Sequence, residues 1–123
     1  MQTIRKGFTL IELIVVILVI GILSGIAIAK FVNVKDSAYV ASMKADLRNL
    51  ALYQQNYLID SQGSYFSGNG SAQGFVSTAG VTIAATAIPG PPPSWSAIAT
   101  HNKTSQTCSI TTVGPAVWDI HCP

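Results

Sequence analysis

Few side chains in this sequence suggest chemistry, and Glu12 stands apart from the rest. It is the single carboxylate inside the apolar run from Phe8 to Ala29. An acidic side chain at the centre of a bilayer costs roughly 2.5–3.5 kcal/mol on insertion scales. A group kept at that cost normally binds something, and a cation is its natural partner. Phe8 lies four residues earlier, directly after Arg5-Lys6-Gly7. A cut between Gly7 and Phe8 gives Phe8 a free amine, and this amine is the expected partner of Glu12.

The remaining reactive residues form no catalytic set. His101, His121, Asp119 and the many serines can be written as a triad, but nothing in their spacing brings them together, and no enzymatic activity or cofactor is expected. Cys108 and Cys122 are the only cysteines. Their expected use is a disulfide closing a loop of about 15 residues, worth roughly 3 kcal/mol by loop entropy. The competing use, a metal site with His101 and His121, lacks any zinc-like spacing. Calcium needs several oxygen ligands, usually carboxylates, and past Arg48 the chain holds only Asp60 and Asp119. Asn69-Gly70-Ser71 and Asn102-Lys103-Thr104 match the N-glycosylation pattern. In a Ser- and Thr-rich chain such matches arise by chance, and sugar O-linked to the Ser-rich loop is an equal expectation.

These residues are set in a chain of 123, enough for one small domain and an appendage. The hydrophobic fraction of 49% is raised by the lipid-like run. Spanning a bilayer core takes about 20 helical residues, and Phe8–Ala29 is that long. Arg5 and Lys6 hold its start on the cytoplasmic side, so the C-terminal part is exported, to a compartment where disulfides persist. Two plainer uses of the run compete: a cleaved secretory signal, with Ala27 and Ala29 as its cleavage site, and a simple anchor in which Glu12 is incidental. Of seven Lys and Arg residues, loss of Arg5 and Lys6 leaves five against five acidic residues. That neutral balance provides no clustered basic surface for DNA.

The helix is expected to continue beyond the run, because 31–60 contains neither Pro nor Gly. Met43, Leu47, Leu50, Gln54 and Leu58 recur at helical spacing, with Tyr57 beside the last. Met43, Leu47, Leu50 and Leu58 form the expected core of the exported head, and Lys44, Asp46 and Arg48 are expected to be solvated or at subunit contacts. Phe8–Asp60 as one helix is roughly 80 Å long at 1.5 Å per residue, so lipid or other subunits must cover its first half. Gly63 is the expected stop. Ser64–Gly80 reads as a loop anchored by Tyr65, Phe66 and Phe75. Val81–Ala85, Trp95–His101, Thr107–Val113 and Val117–Cys122 are strand candidates, with Pro89–Pro93 and Asn102–Ser105 as turns. The fold class is therefore α+β: a helix over about 8–60 with a three- or four-stranded antiparallel sheet packed on its second half.

Lys6-Gly7-Phe8-Thr9-Leu10-Ile11-Glu12-Leu13 resembles the processing site of type IV prepilins and of the related pseudopilins of type II secretion. The whole chain resembles them more weakly, as a long helix with a small C-terminal sheet and a late cysteine pair. The resemblance implies a leader at 1–7, a membrane and filament-core helix at 8–30 and an exported head at 31–123. It further implies a prepilin peptidase that cuts after Gly7 and N-methylates Phe8, and pilus assembly machinery that draws subunits from the inner membrane into a filament. Such filaments are used for adhesion, motility, DNA uptake or biofilm formation. Many members have a Pro near the end of the run where this chain has Ala29, which removes the usual reason for a kink there. Gly21 and Gly25 remain weak points, each costing about 1 kcal/mol relative to Ala in a helix. Beside the pilin reading stand a pseudopilin of a type II secretion system and a membrane-anchored periplasmic binding module that never polymerises.

Overall fold

The computed structural model describes residues 6–112 and 118–123. One helix, α1, runs over Leu10–Asp60 without a break at Gly21, Gly25 or Ala29. A short 3-10 turn covers Ser71–Gln73. Four strands follow: β1 Val81–Ile88, β2 Ser94–His101, β3 Thr107–Thr112 and β4 Trp118–His121. They form an antiparallel meander in the order β1-β2-β3-β4. By its contacts the chain falls into two compact units, Met1–Lys35 and Asp36–Pro123.

Within Asp36–Pro123 the helix and sheet share one core. Met43, Leu47 and Leu50 are fully buried. They meet the inward residues of the sheet, among them Ile83, Ala85, Trp95, Ala97, Ala99 and Ile110. The alternation of β2 delivers this: Trp95, Ala97, Ala99 and His101 point inward, while Ile98 and Thr100 are exposed. Three inward alanines lie opposite the long side chains of α1, so large meets small across the layer. Leu58, expected in this core, is only half-buried, and Tyr57 packs against the cluster instead. It lies in the last helical turn, where the chain is already leaving the sheet.

Three further differences have local causes. Asp46, expected in solvent or at a subunit contact, is 4% exposed. Its carboxylate accepts the Thr78 N–H at 2.7 Å and the Thr78 Oγ–H at 2.9 Å, which ties the loop before β1 to α1. The helix stop falls at Gln62, which is left-handed at φ 58°, with Gly63 one residue on donating its N–H to the Leu58 carbonyl at 3.0 Å. β1 extends three residues past Ala85 because Thr86, Ala87 and Ile88 pair with Ser96, Trp95 and Ser94. Val113 and Val117, expected at strand ends, lie outside the described residues.

The loop between α1 and β1 is held at several points. Gln54, fully buried, grips the Phe66 backbone both ways: its Nε2 donates to the Phe66 carbonyl at 2.8 Å, and its Oε1 accepts the Phe66 N–H at 3.0 Å. Gly70 adopts φ 76°, and a Cβ there would come within 3.0 Å of Phe75 Cβ and 3.3 Å of Leu50 Cδ1, so only glycine fits. Gly68 and Ala85 exchange backbone bonds of 2.8 Å, and Ser67 Oγ accepts the Ala87 N–H at 2.9 Å. These contacts cover much of the outer edge of β1, which otherwise offers a template for strand addition.

The disulfide joins Cys108 and Cys122. Ser109 faces His121 across β3 and β4, so the cysteines stand opposite each other one position further along. β4 has four residues and needs this tether. Replacing Cys108 by Ser is expected to cost the head about 3 kcal/mol. That lowers the melting temperature by roughly 10 °C or more, without changing membrane insertion. Thermal melts of wild type and variant in detergent check this, and equal melting temperatures overturn it.

Candidate processing and assembly site

Lys6 to Val34 form a site made of backbone ends and apolar side chains. Gly7 and Phe8 are irregular and exposed, Phe8 to 90%. The helix begins after Thr9, whose carbonyl accepts the first helical N–H, from Leu13, at 3.4 Å. Thr9 is therefore the N-cap, and Glu12 is the third helical residue. Glu12 accepts the Thr9 N–H and the Thr9 Oγ–H, each at 2.9 Å. Thr9 Oγ1 accepts the Glu12 N–H at 3.3 Å. This reciprocal arrangement is a capping box, which satisfies two of the orphan donors at a helix start. The start of α1 at Leu10 instead of Phe8 follows from it.

The capping box was open to sequence reasoning and was missed. Thr9-Leu10-Ile11-Glu12 has the S/T-x-x-E spacing that, ahead of an apolar run, is its ordinary signature. The structure gives the carboxylate a partner within its own chain.

Past the cap, the apolar side chains are exposed: Leu13, Ile17, Leu23 and Ile28 each leave about 60% or more of their surface uncovered. α1 is long and apolar enough to cross a membrane. Ser24 places its hydroxyl on the Ile20 carbonyl at 2.7 Å, so the one serine amid the run needs no outside partner. At the polar end, Lys35 lies over the Phe31 ring, 4.5 Å from its centroid.

The other sequence candidates lie in the head. Met43, Leu47 and Leu50 share its core, and Cys108 and Cys122 are bonded. His101 is buried and stacked on Tyr39 with ring centroids 4.3 Å apart, its Nδ1 accepting the Lys103 N–H at 3.0 Å. His121 is exposed on the opposite face of the sheet, beside Ser109. The two histidines are thus not brought together, and among the described residues no group of three or more His, Cys, Asp or Glu is placed to hold a metal ion.

The capped, singly acidic apolar helix behind the Gly7-Phe8 junction lies within a recognised N-terminal motif. The model of the prokaryotic N-terminal methylation motif matches residues 3–28. Over 40 residues the chain is 55% identical to the type IV narrow pilus major component PilA5 of Thermus thermophilus, covering 32% of this chain and 34% of that protein. Over 56 residues it is 34% identical to the type II secretion system core protein G of Pseudomonas aeruginosa, covering 46% and 39%. Over 99 residues it is 27% identical to a type IV major fimbrial protein FimA of Dichelobacter nodosus, covering 68% and 64%. The matches to the first two span about a third to two fifths of those relatives. No solved structure matches the chain significantly. Motif, relatives and fold agree: the chain is similar to type IV pilins and to a core protein of type II secretion, most strongly over its N-terminal half.

Proposed function

We propose that this chain is the structural subunit of a type IV pilus. A prepilin peptidase cuts it between Gly7 and Phe8 and methylates the Phe8 amine. The precursor rests in the bacterial inner membrane through the apolar start of α1, with its head exported. Subunits then join through heterologous contacts into an open helical filament on the cell surface, where protein takes the place of lipid around α1. Glu12 receives the Phe8 amine of a neighbouring copy as the subunit docks. Adhesion, motility or DNA uptake is the use of the resulting fibre. The observation that carries this reading is the unbroken exposed apolar helix with one carboxylate, directly behind the Gly7-Phe8 junction inside the methylation motif.

The test is the covalent state of the fibre protein. Mass spectrometry of sheared surface filaments is expected to give a subunit beginning at N-methylated Phe8. A Gly7→Val variant is expected to abolish cleavage, since a small residue admits the backbone to the protease cleft, and to leave full-length precursor in the membrane. Filament protein that retains Met1, or that begins after Ala29, overturns the reading.

A further inference from the structure

Asn69 is the one asparagine of this chain that precedes a glycine; the others precede Val, Leu, Tyr and Lys. Glycine carries no side chain to hinder its own nitrogen, so the Gly70 nitrogen is the backbone nucleophile best able to reach a neighbouring carboxamide. The loop brings the two together. Asn69 is exposed, and its Oδ1 accepts the Ser71 N–H at 3.1 Å and the Ser71 Oγ–H at 2.8 Å. A side-chain oxygen bonded two residues ahead folds the carboxamide back over the intervening backbone, here the peptide that carries the Gly70 nitrogen. Both donors sit on the oxygen that gains negative charge when a nucleophile adds to Cγ, so they polarise the carboxamide as an oxyanion hole does. Gly70 is meanwhile fixed at φ 76°, its carbonyl accepting the Gln73 N–H at 3.0 Å and the Phe75 N–H at 3.1 Å.

We propose that Asn69-Gly70 is a self-modification site of the head, at which the Gly70 nitrogen closes on Asn69 Cγ while Ser71 activates the carboxamide. The bond from the Gly70 nitrogen to Cγ forms, and the Cγ–Nδ2 bond breaks. The Gly70 proton passes through water to the departing nitrogen, which leaves as ammonia. Water then opens the succinimide ring. Attack at the former side-chain carbonyl gives aspartate. Attack at the Asn69 backbone carbonyl gives isoaspartate, whose main chain carries an extra methylene. Nothing is oxidised or reduced, and water is the only co-reactant. Either product places a new carboxylate on the exposed loop. Isoaspartate also displaces Gly70, which is packed so closely that a Cβ there would come within 3.0 Å of Phe75 and 3.3 Å of Leu50 and Phe66. The modification therefore reaches the core, and the inference is independent of the pilin reading.

The experiment ages the purified full chain in detergent at mildly alkaline pH. Peptide mass mapping follows position 69, with fragmentation that tells isoaspartate from aspartate. Asn69 is expected to convert ahead of the other asparagines, with isoaspartate among its products, the mark of ring opening. Asn102, exposed in the turn after β2, is the internal comparison. Ser71→Ala is expected to slow conversion roughly five-fold, the worth of one ordinary hydrogen bond, and Ser71→Thr to stay near wild type. Ser71 is exposed, so neither change endangers the fold. In a free peptide spanning 66–75, where the loop is not held, Ser71→Ala is expected to leave the rate nearly unchanged. The aged chain is expected to melt below the fresh one, whereas Asn69→Asp, with the charge but no added methylene, melts close to wild type. No isoaspartate at position 69, conversion no faster than at Asn102, a wild-type rate in Ser71→Ala, or equal slowing in the peptide overturns the site. Equal melting of fresh and isoaspartate-bearing chains overturns its reach into the core.

Discussion

Leu50→Asp is expected to unfold the head and send the chain to degradation. Leu50 is fully buried, and its Cδ1 lies 3.3 Å from where a Cβ on Gly70 would sit. Around it the structure stacks Met43 and Leu47 from the same helix and Phe66 and Phe75 from the loop. Removing such a leucine down to alanine costs about 2–5 kcal/mol through lost burial and the cavity left behind. Aspartate adds a carboxylate with no cation beside it, a further and larger penalty. A small domain has about 5–15 kcal/mol in total, so little or none remains. Leu52→Asp is the control, because Leu52 is 53% exposed two residues along the same helix. It is expected to melt within a few degrees of wild type. Near-ultraviolet circular dichroism on detergent-solubilised protein, with the steady-state level in cells, reads both. A cooperative transition for Leu50→Asp near that of wild type contradicts the assignment of the core.

The stripe that positions Leu50 was legible because it is local. Met43, Leu47, Leu50 and Gln54 follow one another at helical spacing, and the structure buries all four. β2 and β3 were legible for the same reason, since period-two alternation is written in neighbouring residues. What escaped sequence reasoning depends on residues distant in the chain. Asp46 looks like a solvated charge among Lys44 and Arg48, and only the return of the loop 32 residues later brings Thr78 to it. Gln54 fell on the stripe, but its grip on Phe66 requires knowing where the loop goes. The reach of β1 to Ile88 depends on a pairing with Ser94, and such partners leave no mark in a stretch that reads simply as Ala, Thr and Ile before a proline. Leu58 failed in the opposite way. Its spacing is right, yet a helical stripe buries a residue only while the sheet continues beneath it. The bond between Thr9 and Glu12 escaped too, although both partners lie within one turn.

Glu12→Ala is expected to give a chain that enters the membrane, is cleaved after Gly7 and forms almost no filaments. Membrane entry should not suffer, since the change removes a carboxylate from the apolar run. Cleavage is expected to proceed, because the Gly7-Phe8 junction proposed to direct it is unchanged. Docking is where the loss falls. The Phe8 amine of the neighbouring copy must then enter an apolar core without a counter-charge, and breaking one side of a buried pair typically costs about 3–5 kcal/mol. Since about 1.4 kcal/mol is tenfold in an equilibrium, addition of each subunit weakens by roughly a hundredfold or more. The same change removes the acceptor of the Thr9 cap, so the first turn of α1 loosens as well. Glu12→Asp keeps the charge on a shorter arm and is expected to recover part of the filament yield, whereas Glu12→Gln keeps the length without the charge and is not. The ranking of these three variants therefore tells charge from capping. Membrane fractionation, the mass of the mature subunit and filament counts by electron microscopy give the three readouts. Filaments of normal number and length from cleaved Glu12→Ala subunits would remove the carboxylate from the assembly step, and with it the reason for a lone charge in this helix.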